Sequence, residues 1–195
     1  MQLWSSILAT ALGATVSPIS DRTPDALQGE WVSDCAPVRP NSSKGSIIRV
    51  TIRGSKISAM GQVFATTKCE VPTLRGGFSG TIRRVNKVGE RWELDYVVGE
   101  TRITLQRRDV VDYYNKSAGC GLNQWHLNTA KAVAGRRCGF LDVPPSGQRL
   151  FEAVWTDGDK LRMGAFPLNT MNRSPQARPT FPGPLVLRRM TNARR

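Results

Sequence analysis

The sequence predicts an all-β protein, a sandwich or barrel in which each strand pairs with the one before it. Two observations carry this. Apolar residues alternate with polar ones over several short stretches, the period-two signature of half-buried strands. Turn residues separate those stretches at roughly 8–12-residue spacing.

Asp21 to Gln28 is a polar lead-in that ends at Gly29, and Trp31 opens a strand that stops at Cys35 and the loop Pro37–Gly45. Ile48, Val50 and Ile52 alternate with Arg49, Thr51 and Arg53. Gly54-Ser55 supplies a turn, and Ile57, Ala59, Gly61 and Val63 complete a hairpin. Cys69 to Gly77 reads as a loop, Phe78 to Val85 as a strand and Asn86–Glu90 as a turn. Trp92, Leu94, Tyr96 and Val98 alternate again. Gly99-Glu100 then reads as a two-residue hairpin turn with glycine first, followed by Ile103 and Leu105 on the return.

One short helix is expected, with Asp109 as its cap, Val110, Tyr113 and Tyr114 as a face, and Gly119 as its stop. Cys120–Cys138 reads as a structured excursion clamped by its own disulfide. Phe151, Ala153 and Trp155 alternate, Asp157-Gly158 signals a hairpin, and Leu161 and Met163 lie on the return strand. Asn169 to Pro184 is a proline-rich loop before a closing strand, Leu185 to Met190.

A chain of 195 residues suffices for one domain with a proper core. The expected division is a signal-like or ordered N-terminal segment 1–24, a domain 25–191 and a basic tail 192–195. Leu3 to Val16 is apolar and small, with Ala11-Leu12-Gly13-Ala14 resembling a leader cleavage site, although no Lys or Arg precedes it. That stretch is too short to span a bilayer, and no other approaches transmembrane length. A periplasmic or extracellular protein is expected.

The four cysteines fit that compartment, since an even count in an exported chain reads as disulfides, with three possible connectivities. The sequential pairing, Cys35 with Cys69 and Cys120 with Cys138, is favoured. Zinc is the rival reading, but there is no C-x-x-C pair and His126 is the single histidine. Neither a metal nor another cofactor is expected.

The net charge of +13, from 28 Lys and Arg against 15 Asp and Glu, attracts anionic partners. Lipopolysaccharide, acidic glycan, anionic lipid or an acidic protein all qualify. Nucleic acid suits the charge, but export and disulfides speak against it. The basic residues recur as scattered pairs such as Arg83-Arg84 and Arg136-Arg137, with no run long enough to make a basic arm.

Catalytic groups are sparse. A histidine-based triad would rest on His126 alone. Gly77-Phe78-Ser79-Gly80 misses the spacing of a nucleophile elbow, and Asp157 and Asp159 flank a hairpin glycine as turn residues do. Binding is therefore expected in preference to catalysis, with a hydrolase as the minority alternative. Among the aromatics, Trp31, Trp92 and Trp155 read as core. Trp125, Tyr113 and Tyr114 lie outside clear strands and are the candidates for a ligand-pocket rim, with Arg136 and Arg137 beside them as candidate ligand-binding cations.

Gly29-Glu30-Trp31 resembles the Gly-x-Trp signature that opens the first strand of lipocalin-like proteins. In that superfamily the Trp closes the barrel floor against an Arg of the last strand, a place that Arg188 or Arg189 fills, Arg188 being preferred. Trp31-Val32-Ser33-Asp34-Cys35, Cys120-Gly121-Leu122-Asn123-Gln124-Trp125 through Cys138, Asp157 to Gly164 and Arg178-Pro179-Thr180 together resemble a group of bacterial exported lipocalin-like proteins, often labelled adhesins. The resemblance implies an all-β antiparallel meander barrel of about eight strands, able to hold one small ligand, with one short helix and a long disulfide-clamped loop. The expected function is an exported binding protein for a small apolar ligand, docking on anionic surface polymer. The alternative is an adhesin-type or structural subunit of an envelope assembly.

Overall fold

The computed structural model describes residues 23–139, 141–164 and 172–190. The leader-like stretch Leu3 to Val16 and the tail 192–195 lie outside the described residues. In chain order the elements are β1 (Gly29–Ser33), β2 (Ala36–Pro37), β3 (Gly45–Arg53), β4 (Lys56–Phe64), β5 (Pro72–Val88), β6 (Arg91–Leu105) and α1 (Arg108–Lys116). Then follow β7 (Ala130–Ala132), β8 (Arg137–Cys138), β9 (Leu141–Asp142), β10 (Arg149–Asp157), β11 (Lys160–Met163) and β12 (Leu187–Arg189).

Eight of these strands close a barrel. Its order is β1-β3-β4-β5-β6-β10-β11-β12, and β12 pairs back onto β1. Every pairing is antiparallel, so the expected meander holds. A closed sheet leaves no edge to pair with another chain.

Alternation fills the barrel. Val50, Ile52, Ile57, Leu94, Leu161 and Leu187 point inward and are buried, while Arg49, Arg53, Lys56 and Ser58 point outward and are exposed. One end is sealed by Trp31, which is fully buried, and by Leu27 beneath it. Trp31 Nε1 donates to the Leu27 carbonyl at 3.0 Å. The Arg189 guanidinium lies 4.1 Å above the indole ring, at the separation of a cation–π contact. Gly29 sits at φ +123°, and a Cβ there would come within 3.1 Å of the Arg189 guanidinium, so the Gly-x-Trp glycine serves the floor directly. Arg189, not the preferred Arg188, takes the closing position. Leu187 and Arg189 share the inward face of β12 by the two-residue repeat, and Arg188 faces solvent.

The other end carries a lid built from α1 and the chain between α1 and β10. Val111, Cys120, Trp125, Val133 and Val143 form a second apolar cluster on Ile103 and Leu105 at the end of β6. Cys120–Cys138 staples the lid to itself, and Cys35–Cys69 joins the two loops that flank β3 and β4 at the same end. Both favoured pairings form. Removing each bridge is expected to cost about 2–5 kcal/mol, seen as a lower urea midpoint after reduction.

Four local expectations are corrected. The strand expected from Phe78 begins at Pro72, because Leu74, Gly76 and Phe78 continue the inward face into the supposed loop. Gly99-Glu100 is no hairpin turn, since β6 runs through it unbroken. Instead β5 bulges between Phe78 and Gly80, and a Cβ on Gly99 would come within 3.1 Å of the Ser79 carbonyl, so the glycine admits the bulge. On β10 the inward residues are Leu150, Glu152 and Val154 rather than Phe151, Ala153 and Trp155. The returning segment runs beside β10 at Asn172, crosses the outside of β6 and β10 as a strap at Arg178 and reaches Met163 of β11 at Gly183, and Phe151 and Ala153 are buried on the outer face. Asp109 does not cap α1: Arg107 holds the cap position without a side-chain bond, and Asp109 in the first turn pairs with it at 2.7 Å. That pair holds the Asp109 carboxyl below its usual range.

Candidate functional site

A cavity of about 430 Å³ lies between the barrel and its lid, within the roughly 300–1,000 Å³ typical of small-molecule sites. Two strands carve it by using small inward residues. Ala59 and Gly61 on β4, and Gly76 on β5, stand where the two-residue repeat calls for larger aliphatics. A Cβ on Gly76 would approach no atom closer than 4.0 Å, so the missing side chain opens space directly. Ile48, Val63, Leu74, Phe78, Val98 and Leu150 make the walls apolar. Val133, Leu141, Val143 and Pro144 close the lid side.

Polar groups enter at two places. Beside β3, the β2–β3 loop brings Arg39, Ser42 and Lys44 to the rim. On the opposite wall stand Tyr96, Thr101, Glu152 and Asn172. Glu152 is fully buried, and its Oε1 accepts from the amides of Ala153 at 2.9 Å and Gly164 at 3.1 Å. Burial, with Glu152 nearby, pushes the Tyr96 phenol above its usual range, so it stays protonated at physiological pH. The Tyr96 ring stacks on Phe78 with centroids 5.8 Å apart, which fixes one face of the cavity.

The residues proposed for a pocket rim are dispersed. Trp125 is buried in the lid rather than on a rim. Its Nε1 donates to the carbonyls of Leu122 and Gly119, and Asn115 holds its backbone at both ends. Tyr114 does line the cavity, with its ring edge-on to Trp125 at 5.2 Å. Burial raises its phenol above the ordinary value. Tyr113 is 67% exposed and outside the lining. Arg136 donates to the Gly121 carbonyl at 3.3 Å and braces the lid, and Arg137 is exposed near Asp142. Neither arginine lines the cavity.

Sequence reasoning missed Gly61, Gly76, Thr101, Glu152 and Asn172. A signal existed for Glu152, a carboxyl between Leu150 and Val154 at the inward period. Asn172 gave none, since its place depends on the strap returning to β10, where Phe151 N donates to the Asn172 carbonyl at 2.9 Å.

Among the described residues no group of histidine, cysteine or carboxylate side chains is placed to hold a metal ion. No helix among them is long and apolar enough to cross a membrane. In comparisons with known proteins, no family model and no curated protein matches the chain.

Proposed function

We propose that this is an exported binding protein of the cell envelope or extracellular space, which takes a small apolar ligand into the barrel beneath the lid. The cavity with its glycine-relieved apolar wall carries the reading. A lipocalin-like ancestry accords with the Gly29–Trp31–Arg189 floor. Two disulfides favour an oxidising compartment. His126 is exposed and lies outside the cavity lining, which supports binding over hydrolysis.

The test is titration with the apolar fluorophore N-phenylnaphthylamine. Saturable uptake is expected in the native protein. Gly76→Leu places a side chain in the open space without forcing the backbone, and is expected to weaken uptake at least about tenfold while leaving the melting temperature unchanged. Equal uptake by both proteins would overturn the proposal.

A specific surface supports docking on anionic polymer as a second activity. The outward residues of β3, β4 and β5 include Arg53, Lys56, Arg75 and Arg83 and no carboxylate. Such a face concentrates polyanions in a salt-dependent way. The double substitution Arg53→Glu and Lys56→Glu is expected to reduce the salt concentration at which the protein leaves a dextran sulfate column. An unchanged elution point would remove this reading.

A further inference from the structure

We propose that the cavity selects an apolar chain bearing a hydroxyl or other hydrogen-bond donor at the end that meets β10, over chains with no polar group or a carboxylate there. The proposal rests on the cavity being a ligand site and names the class of ligand it takes.

The argument begins with Asn172. The residue is 2% exposed and lines the cavity. Its Nδ2 donates to the Phe151 carbonyl at 3.2 Å, which commits one prong of the amide to the barrel wall. The other prong, Oδ1, is buried and has no hydrogen-bond partner within the protein. Thr101 Oγ1, on the neighbouring strand β6, is buried, unpartnered and lines the same cavity. Four described side-chain atoms share that condition, and two of the four belong to residues that line this cavity. Buried polar atoms are ordinarily bonded, and a ligand donor that reaches Asn172 satisfies its Oδ1, while Thr101 lies further along β6 towards the lid.

The chemistry of the wall sets the sign of the preference. Asn172 Oδ1 only accepts, and Glu152 on the same wall is also an acceptor group. A ligand carboxylate brought there would set acceptor against acceptor, whereas a hydroxyl supplies the missing hydrogen. A bare methyl would leave the oxygen dry and unpaired.

The opposite side suits a different group. Around the eight-stranded barrel β3 lies four strands from β10, so the loop bearing Arg39, Ser42 and Lys44 faces this wall across the cavity. That rim favours an anionic head. At about 30 Å³ per water-sized group, the space holds about 14 heavy atoms, the size of a chain of about ten carbons with a polar group at each end. An ω-hydroxy fatty acid has this character, head at the rim and hydroxyl at Asn172.

The experiment measures dissociation constants of decanoate, ω-hydroxydecanoate and decanedioate by displacement of N-phenylnaphthylamine. ω-Hydroxydecanoate is expected to bind about tenfold more tightly than decanoate, one good hydrogen bond in affinity terms, with decanedioate weakest. Asn172→Leu is expected to shrink the ratio of the first two, whereas Thr101→Val, further along β6, is expected to keep it, with decanoate affinity within about twofold in both. Retained decanoate binding guards against a folding defect in the asparagine variant. Equal affinities for the hydroxylated and plain chains, or a preference that survives Asn172→Leu, would overturn this inference and leave the cavity reading standing. Failure of every chain and of the fluorophore itself to bind would overturn both.

Discussion

Replacing Arg178 with alanine is expected to destabilise the protein by about 3–5 kcal/mol, the range for removing one partner of a buried ion pair. Arg178 lies on the strap, with its side chain 11% exposed. Its Nη2 donates to Asp95 Oδ1 at 2.5 Å and its Nη1 to the Glu152 carbonyl at 2.7 Å. A longer bond reaches the Leu94 carbonyl, and Nε stands 3.5 Å from Glu93. The guanidinium also covers Phe151, at 5.5 Å from the ring centroid. One side chain thus joins the strap to β6 and β10 together. Without it the Asp95 carboxylate, in a residue 5% exposed, keeps its burial and loses its cation. Lysine restores a charge but not the planar fork that reaches carboxylate and carbonyls at once, so Arg178→Lys is expected to recover a minor part. Urea unfolding checks both. Because the two sites touch, Asp95→Asn in the Arg178→Ala background is expected to cost much less than it does alone.

Trp31→Ala is expected to cost about 3–5 kcal/mol as well, the range for emptying a fully buried indole site. The loss includes the hydrogen bond to Leu27 and the stacking partner of Arg189. Arg189 also donates to the carbonyls of Ala26 and Gln28, so it holds the lead-in to β1 against the floor. Arg189→Ala should therefore lower the melting temperature clearly, though less than Trp31→Ala. Arg188→Ala should leave it nearly unchanged, since that side chain is exposed and its contact with the still more exposed Asp34 is a long 4.0 Å. The three melting curves separate the two neighbouring arginines. Equal effects of Arg188→Ala and Arg189→Ala would contradict the floor described above.

Much of the barrel was legible because most of its strands obey one local rule. The β3–β4 hairpin around Gly54-Ser55 and the inward row Leu94, Tyr96 and Val98 follow from alternation alone. Errors arose where a second layer altered that rule. On β10 the strap buries the outer face, so apolar residues occur on both sides and alternation no longer identifies the interior. Gly99 was misread because a glycine that admits a bulge in a neighbouring strand looks, locally, like a turn residue. The choice between Arg188 and Arg189 required the pairing register with β1. Trp125 was placed on a rim because its loop shows no period, yet the lid gives it an apolar interior of its own. The cavity itself was hidden for a simpler reason: it is opened by a side chain that is absent, at Gly76, and bounded by a returning segment whose position nothing local dictates.

The seam of the barrel bears on how the chain reaches its native state. β1 sits between β3 and β12, so its second neighbour arrives only when Leu187–Arg189 does, more than 150 residues later. Contacts this distant in sequence make folding slow. A nascent chain lacking β12 would present the flanks of β1 and β11 as two bare ladders, open to pairing with another copy. Productive folding therefore awaits the synthesis of β12, and a truncation that removes β12 should be recovered as aggregate rather than as a smaller soluble sheet.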